Sequence, residues 1–371
     1  MSDRSAGLQA GRALLVACFV LVISLPLAAN LAGVDGADPG AENRELAAFA
    51  WDSPGDWFED HFGFRATLIR WYGESRLFVL GVSPSTSVAS GQDGWLFYAD
   101  DSSLDDFARI DPMTPDALAN WREAIVRARD WLRRQRPDGV PYIFTVAPDK
   151  HVIYPDELPP GLAQVGDLSR TDQLYTALQD LGVAVDVRPA LREASARERI
   201  YQRTDTHWND RGALIAYQQI VNAVRLRVPA TPAAWSRDDF DAVDREVPAM
   251  DLGRMIGLSR VLRETDMTLV PRRPRRARVV EPAGAQPTDE LGRIVTAIDD
   301  PSLPRAVIFR DSFVSRLVPF LSEHFSRAVY VWQNDFDADL VTKERPDVVI
   351  QEIVGRHLYS FIPSPELVPE R

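Results

Sequence analysis

VIFRDSF, residues 307–313, runs from an apolar strand into Asp311-Ser312 and stops where a helical pattern over 313–325 begins. A serine at such a junction lies at the carboxyl edge of a sheet, where α/β proteins place their sites. The N–H groups that open the following helix suit a developing oxyanion. The same alternation repeats outward from this junction. Strands are expected at 305–309 (RAVIF), 328–332 (AVYVW) and 347–353 (DVVIQEI), and upstream at 140–148 (VPYIFTVAP) and 183–187 (VAVDV). Helices are expected at 66–80, at about 115–135 with Thr114 as cap and Pro115 in the first turn, at 170–181 ending at Gly182, and at 209–227. Asp93-Gly94 marks a turn that feeds a short strand. Strands alternating with helices point to an α/β fold with a doubly wound, mostly parallel sheet.

The chain has 371 residues, of which 45% are hydrophobic and 26% charged, enough apolar material for a large core and too much for a disordered chain. Lysine and arginine total 42 against 54 acidic residues, a net charge of −12. That balance argues against nucleic acid as a partner, because phosphate neutralisation needs a basic surface. The one cysteine, Cys18, excludes intramolecular disulfides and cysteine-based zinc sites. The five histidines, His61, His151, His207, His324 and His357, show no metal-ligand spacing, so no metal is expected; no nucleotide-binding glycine motif appears either, and no cofactor is expected.

Residues 13–29, ALLVACFVLVISLPLAA, are uncharged and almost wholly apolar, with Arg4 and Arg12 before them and Asp35, Asp38 and Glu42 after. This order places the N-terminus in the cytoplasm and the bulk of the chain outside. Residues 1–33 are read as a signal anchor, with a cleaved signal peptide as the alternative. Residues 34–54 are read as a linker and 55–371 as one domain. An insertion at about 229–300 interrupts its rhythm, and there PRRPRRAR (271–278) packs five arginines into eight residues. Such a run either holds an anionic polysaccharide or membrane phosphate, or is a solvated loop carrying surface charge.

The second segment with chemical character is TDTHWND, 204–210. In extended backbone Asp205 and His207 point to the same face, and the carboxylate can set the tautomer of the imidazole. Asn209 or Asp210 can cap the helix that follows. Each segment also has a plain structural reading, the Asp-x-His pair as a buried hydrogen bond and the serine as a helix cap.

Seven stretches occur in one order: FEDHFGFR (58–65), GQDGWLFYADD (91–101), APDKHVIYPDELP (147–159), TDTHWNDRGALIAY (204–217), DLGRMIGL (251–258), FRDSF (309–313) and VVIQEIVGRHL (348–358). The series resembles the alginate O-acetyltransferase family, the AlgJ/AlgX-like proteins with an SGNH-hydrolase-like domain, over roughly residues 55–360. The resemblance implies an SGNH-like α/β sheet in permuted motif order, since Ser312 follows Asp205 and His207, preceded by one N-terminal membrane helix. It implies Ser312 as nucleophile, His207 as base and Asp205 as its orienting carboxylate. The family's Gly-Asp-Ser-Phe is matched by Asp311, Ser312 and Phe313, with Arg310 in place of the glycine. Asp149-Lys150 stands where the family has Asn-Lys, and Glu352 and Arg356 fall in its closing stretch; the resemblance assigns these residues no step.

The activity so implied is O-acetylation of a secreted polysaccharide through an acetyl-serine. Implied partners are a membrane-bound O-acyltransferase as acetyl donor, the polysaccharide acceptor and other exopolysaccharide-assembly proteins, in the periplasm at the inner membrane. Two other readings stay open: a carbohydrate acetyl esterase with the same triad, and a non-catalytic polysaccharide-binding or scaffold subunit. The orientation is directly testable: alkaline phosphatase fused after residue 60 is expected to be active. Activity of a cytoplasmic reporter at that point instead would reverse the topology.

Overall fold

The computed structural model describes residues 2–34, 46–289 and 292–369. Most of the linker expected at 34–54, namely 35–45, lies outside the described residues. The chain divides into two compact units, Met1–Ser90 with Pro248–Arg263, and Gly91–Val247 with Glu264–Arg371.

In the first unit the helix Ser2–Leu31 contains Pro26. Its stretch Gly11–Leu31 is long and apolar enough to cross a membrane, with a mean hydropathy of 2.5 and 6% of that window buried. The same unit holds helices Pro54–His61 and Arg65–Glu74, the second continuing as a π-helical turn over Ser75–Val79. Gly63 is required between them, because a Cβ there would sit 2.3 Å from the Ala29 Cβ and 2.7 Å from the Pro26 carbonyl oxygen.

The second unit is built on a six-stranded sheet. In chain order its strands are β1 (Tyr142–Ala147), β2 (Arg278–Glu281), β3 (Arg293–Ala297), β4 (Arg305–Arg310), β5 (Arg327–Trp332) and β6 (Val348–Val354). They lie in the order β1-β6-β4-β5-β3-β2. The first four are parallel, with Val349 opposite Tyr142, Val348 opposite Ala306 and Arg305 opposite Arg327. β3 and β2 continue the sheet antiparallel. This is the mostly parallel sheet expected. The continuous burial of β1 and β6 is what a strand covered on both faces requires.

Helix Pro115–Arg134 explains one face. Thr114 accepts from the Ala117 N–H at 3.2 Å, Pro115 opens the helix, and Ala117, Trp121, Ile125, Ala128, Trp131 and Leu132 form its buried stripe. That stripe packs with Tyr142, Phe144, Val146, Val307, Phe309 and Val349 in one core. The intervening Ile143, Ile308 and Ile350 are also buried and, by the period of two, face the other way. Helix Asp210–Arg225 packs on β1, on helix Arg188–Ser195 and on Val318–Leu321.

Three expectations are corrected. The helix expected over 313–325 is broken into a 3₁₀ turn (Ser312–Arg316), a single α turn (Val318–Leu321) and another 3₁₀ turn (Ser322–His324). Pro319 tolerates a first turn but cannot donate inside a continuous helix. Residues 183–187 make only a parallel bridge, Ala184 to Phe144, before Asp186 turns to bind the Arg188 N–H and guanidinium. The region 229–300 is not wholly an insertion outside the sheet, since it supplies β2 and β3 as well as a two-stranded ribbon, Phe240–Pro248 with Arg263–Pro271. Four arginines of 271–278 have partners within the chain, although Arg272, Arg273 and Arg276 remain exposed. Arg273 lies 4.0 Å over Trp235, Arg276 pairs with Asp300 at 2.7 Å, and Arg275 donates to the Pro319 carbonyl. Arg272 pairs with Asp241 at 2.9 Å.

Two histidines are buried far from solvent. His324 bonds the Tyr217 hydroxyl at 2.6 Å, and His151 stands edge-on to Phe107. Burial pushes both rings down from the ordinary 6.5 to about 4. A ring kept neutral in the folded chain but protonated when unfolded contributes stability that is whole above pH 6.5 and lost as the pH falls toward about 4. Asp106, raised by burial to about 6, works in the opposite direction. Comparison with a variant therefore isolates the histidine effect. His324→Gln is expected to lose part of the fall in urea midpoint that the native chain shows between pH 6.5 and 4; identical slopes would refute the assignment.

Candidate active site

β4 ends in Arg310, which pairs opposite Trp332 in ordinary extended backbone. The arginine that stands in the glycine's place therefore carries no backbone strain. Its guanidinium lies 4.4 Å over the Trp332 ring and donates to the Ser315 Oγ at 2.9 Å and the Asp311 carbonyl at 3.2 Å.

The next residue, Asp311, is the structural peg of the turn. Its Oδ1 accepts from the Phe313 N–H at 2.9 Å, capping the 3₁₀ turn, while its Oδ2 accepts from the Val354 N–H at 2.6 Å at the end of β6. His357 Nδ1 lies 3.5 Å from the same Oδ2. Burial works to raise this carboxyl, but His357, the Phe313 N–H and Arg356 outweigh it and hold it below the ordinary range. Glu352, whose Oε2 accepts from the Asp311 N–H at 3.2 Å, is pushed well above its ordinary value by burial and by the Asp311 charge. Burial and the neighbouring charge thus favour its protonated form.

The other half of the site is the loop closed by the antiparallel bridge between Tyr201 and Trp208. Lys150, buried at the carboxyl end of β1, donates from Nζ to the carbonyls of Gln202 at 3.0 Å, Arg203 at 2.9 Å and Asp205 at 2.7 Å. The ammonium also lies 5.5 Å over Trp95 and 5.3 Å over Phe97. The Trp208 Nε1–H donates to the Phe313 carbonyl at 3.1 Å, so the loop is tied directly to the serine turn. Asn209 ends the loop by capping helix Asp210–Arg225, accepting from the N–H groups of Arg211 and Gly212.

These two halves bring Asp205, His207 and Ser312 together. Ser312 Oγ is 2.8 Å from His207 Nε2, and Asp205 Oδ1 is 2.6 Å from His207 Nδ1. Asp205 Oδ1 also accepts the His207 backbone N–H at 2.9 Å, which locks the i to i+2 geometry. Burial alone would raise the Asp205 carboxyl, yet the His207 ring, that N–H and Arg316 hold it far below the ordinary carboxylate range. An ionised Asp205 accepts from Nδ1–H and leaves Nε2 free to receive the serine proton. The arrangement can therefore activate a hydroxyl for acyl transfer.

Five further residues shape the site and were not assigned a role from sequence. Lys150 holds the loop, and Glu352 and His357 flank Asp311. Arg356 donates from Nη1 to Asp149 Oδ1 at 2.7 Å, and its N–H reaches the other oxygen of Asp149 at 2.7 Å. The same guanidinium lies 5.5 Å over Phe313, beneath the serine turn. The available signal was their position inside APDKH and EIVGRH, at the carboxyl ends of two parallel strands.

The family described as the SGNH hydrolase-like domain of the acetyltransferase AlgX matches residues 88–337, roughly two thirds of the chain. Among curated proteins, the chain is 32% identical over 154 residues to a probable alginate O-acetylase AlgJ of Pseudomonas aeruginosa, covering 38% of this chain and 35% of that protein. It is 28% identical over 143 residues to the protein of the same name in Pseudomonas syringae, covering 38% and 34%. The matched segment thus spans about a third of the length of these relatives. Among solved structures, Bacillus cereus PatB1 with a sulfonyl adduct is similar over 73% of this chain and 97% of that one, with a TM-score of 0.54 at 15% identity. At that identity the likeness concerns the fold.

The geometry predicts selective reactivity. An arylsulfonyl fluoride is expected to modify Ser312 in preference to every other serine, read by peptide mass spectrometry. Asp205→Asn is expected to slow that labelling about 10²–10⁴-fold, because the orienting carboxylate and the tautomer it imposes are lost. Labelling at an unchanged rate would remove Asp205 from the site.

Proposed function

From the premise that this chain belongs to the SGNH hydrolase-like acetyltransferase family typified by AlgX, we propose that it is an O-acetyltransferase of an exported polysaccharide. The observation that carries the proposal is the contact of Ser312 Oγ with His207 Nε2, backed by Asp205 at Nδ1. In the first half-reaction Ser312 Oγ attacks the acetyl carbonyl carbon and its proton passes to His207 Nε2. The donor's leaving group departs with that proton, leaving an acetyl ester on Ser312. In the second, His207 takes the proton of a sugar hydroxyl as its oxygen attacks the ester. The proton then returns to Ser312 Oγ as the acetylated sugar leaves. Asp205 stays ionised throughout and stabilises the imidazolium formed in each half.

The apolar helix Ser2–Leu31 supports a tether in the inner membrane with the second unit in the periplasm. Acetyl-CoA is cytoplasmic, so the acetyl group must be handed across the bilayer. A membrane-bound O-acyltransferase is the donor class that fits, with other exopolysaccharide-assembly proteins delivering the acceptor.

With p-nitrophenyl acetate as donor, Ser312→Ala is expected to abolish transfer while the chain stays folded. The native chain should accumulate an added mass of about 42 Da on the Ser312 peptide, the covalent ester that this chemistry requires. Near-native transfer by Ser312→Ala, or acetyl trapped on another residue, would falsify the mechanism. Release to water alone, with no glycan acetylated, would favour the esterase reading.

A further inference from the structure

Ser312 and His207 open onto a cavity of about 420 Å³ within the second unit, a size suited to a small-molecule or glycan subsite. Beyond the triad its described wall is made by Asp210, Asp266, Thr268, Thr288, Ser315 and Arg316. The wall is strongly polar and its charge is lopsided. Arg316 is the only guanidinium or ammonium among these residues, and it is engaged by two carboxylates, Asp210 at 3.0 Å and Asp266 at 3.5 Å. Asp205 adds a third, set between the His207 ring and the same Arg316. The Asp266 carboxyl registers the resulting field. Burial raises it and the Asp210 and Asp205 charges raise it further, against the pull of Arg316. The hydroxyls of Thr268, Thr288 and Ser315 complete a surface of hydrogen-bonding groups without net positive charge.

A sugar hydroxyl entering here meets carboxylate acceptors and makes charge-assisted hydrogen bonds. A uronate carboxylate meets like charge in a partly desolvated cavity whose one arginine is already paired, and like-charge juxtaposition is strongly disfavoured. The net charge of −12 acts in the same direction at longer range by repelling a polyanion.

Resting on the acetyltransferase reading above, we propose that the acceptor held in this cavity is a neutral glycan. Its hydroxyls are recognised by Asp210 and Asp266, and polymers of uronic acids such as alginate are discriminated against. The relevant experiment supplies the full chain, solubilised in detergent, with p-nitrophenyl acetate and either a neutral β-glucan oligosaccharide or an oligomannuronate of equal length. Acetylated glycan and the Ser312 ester are both read by mass spectrometry.

At low ionic strength the neutral acceptor is expected to be acetylated at least about tenfold faster, with the gap narrowing in about 0.5 M salt as the charges are screened. Asp266→Asn is expected to raise the oligomannuronate rate relative to the neutral one. Equal or faster transfer to oligomannuronate overturns the proposal. So does a gap that neither salt nor Asp266→Asn changes, or a Ser312 ester that hydrolyses with neither glycan modified. Absence of the Ser312 ester is a different failure, since it overturns the acetyltransferase reading and this assignment with it.

Discussion

A lysine ammonium buried among the carbonyls of Gln202, Arg203 and Asp205 sets the loop from which the candidate base and its carboxylate reach the serine. A buried charge is costly unless it is hydrogen-bonded, so Lys150 and this loop constrain each other. The lysine sits just past β1, and the serine turn just past β4, with β6 between those two strands. Loop and turn are thus referred to one rigid sheet. Preorganised groups of this kind need little rearrangement when charge develops.

Asp311 plays the corresponding part on the serine side. One of its oxygens caps the turn that begins at Ser312 and the other holds the end of β6, so that turn and sheet edge are joined through one anion. Around it the charges are arranged to be affordable. Arg356 is matched by Asp149, and burial together with the Asp311 charge pushes the Glu352 carboxyl up, towards its uncharged form. The Trp208 indole closes the circuit by bonding the Phe313 carbonyl.

The arginine at 310 shows how a departure from a motif is absorbed. The backbone at this position is extended, so any residue can occupy it, and the long side chain finds an aromatic face on Trp332 and an acceptor in Ser315. The arginines of 271–278 behave differently: Trp235, Asp300 and the Pro319 carbonyl give three of them partners, yet Arg272, Arg273, Arg276 and Arg278 stay exposed and leave positive charge on the surface.

What the sequence determined by itself was local. The apolar run near the N-terminus, the Thr114 and Asn209 caps, the buried stripe of helix 115–134 and the β-branched runs of the parallel strands all follow from neighbours in the chain. The Asp-x-His pair and the strand-to-serine junction were legible for the same reason, because each is set by a few consecutive residues. The tertiary structure decided the rest. It alone brought Ser312 to His207 across 105 residues, sent β2 and β3 antiparallel onto the sheet, and broke the helix after Ser312 at Pro319. It alone turned Lys150, Asp149, Glu352, Arg356 and His357 into supports of the site. Their partners lie on other strands and loops, and spacing along the chain carries no information about which buried charge will meet which carbonyl or carboxylate.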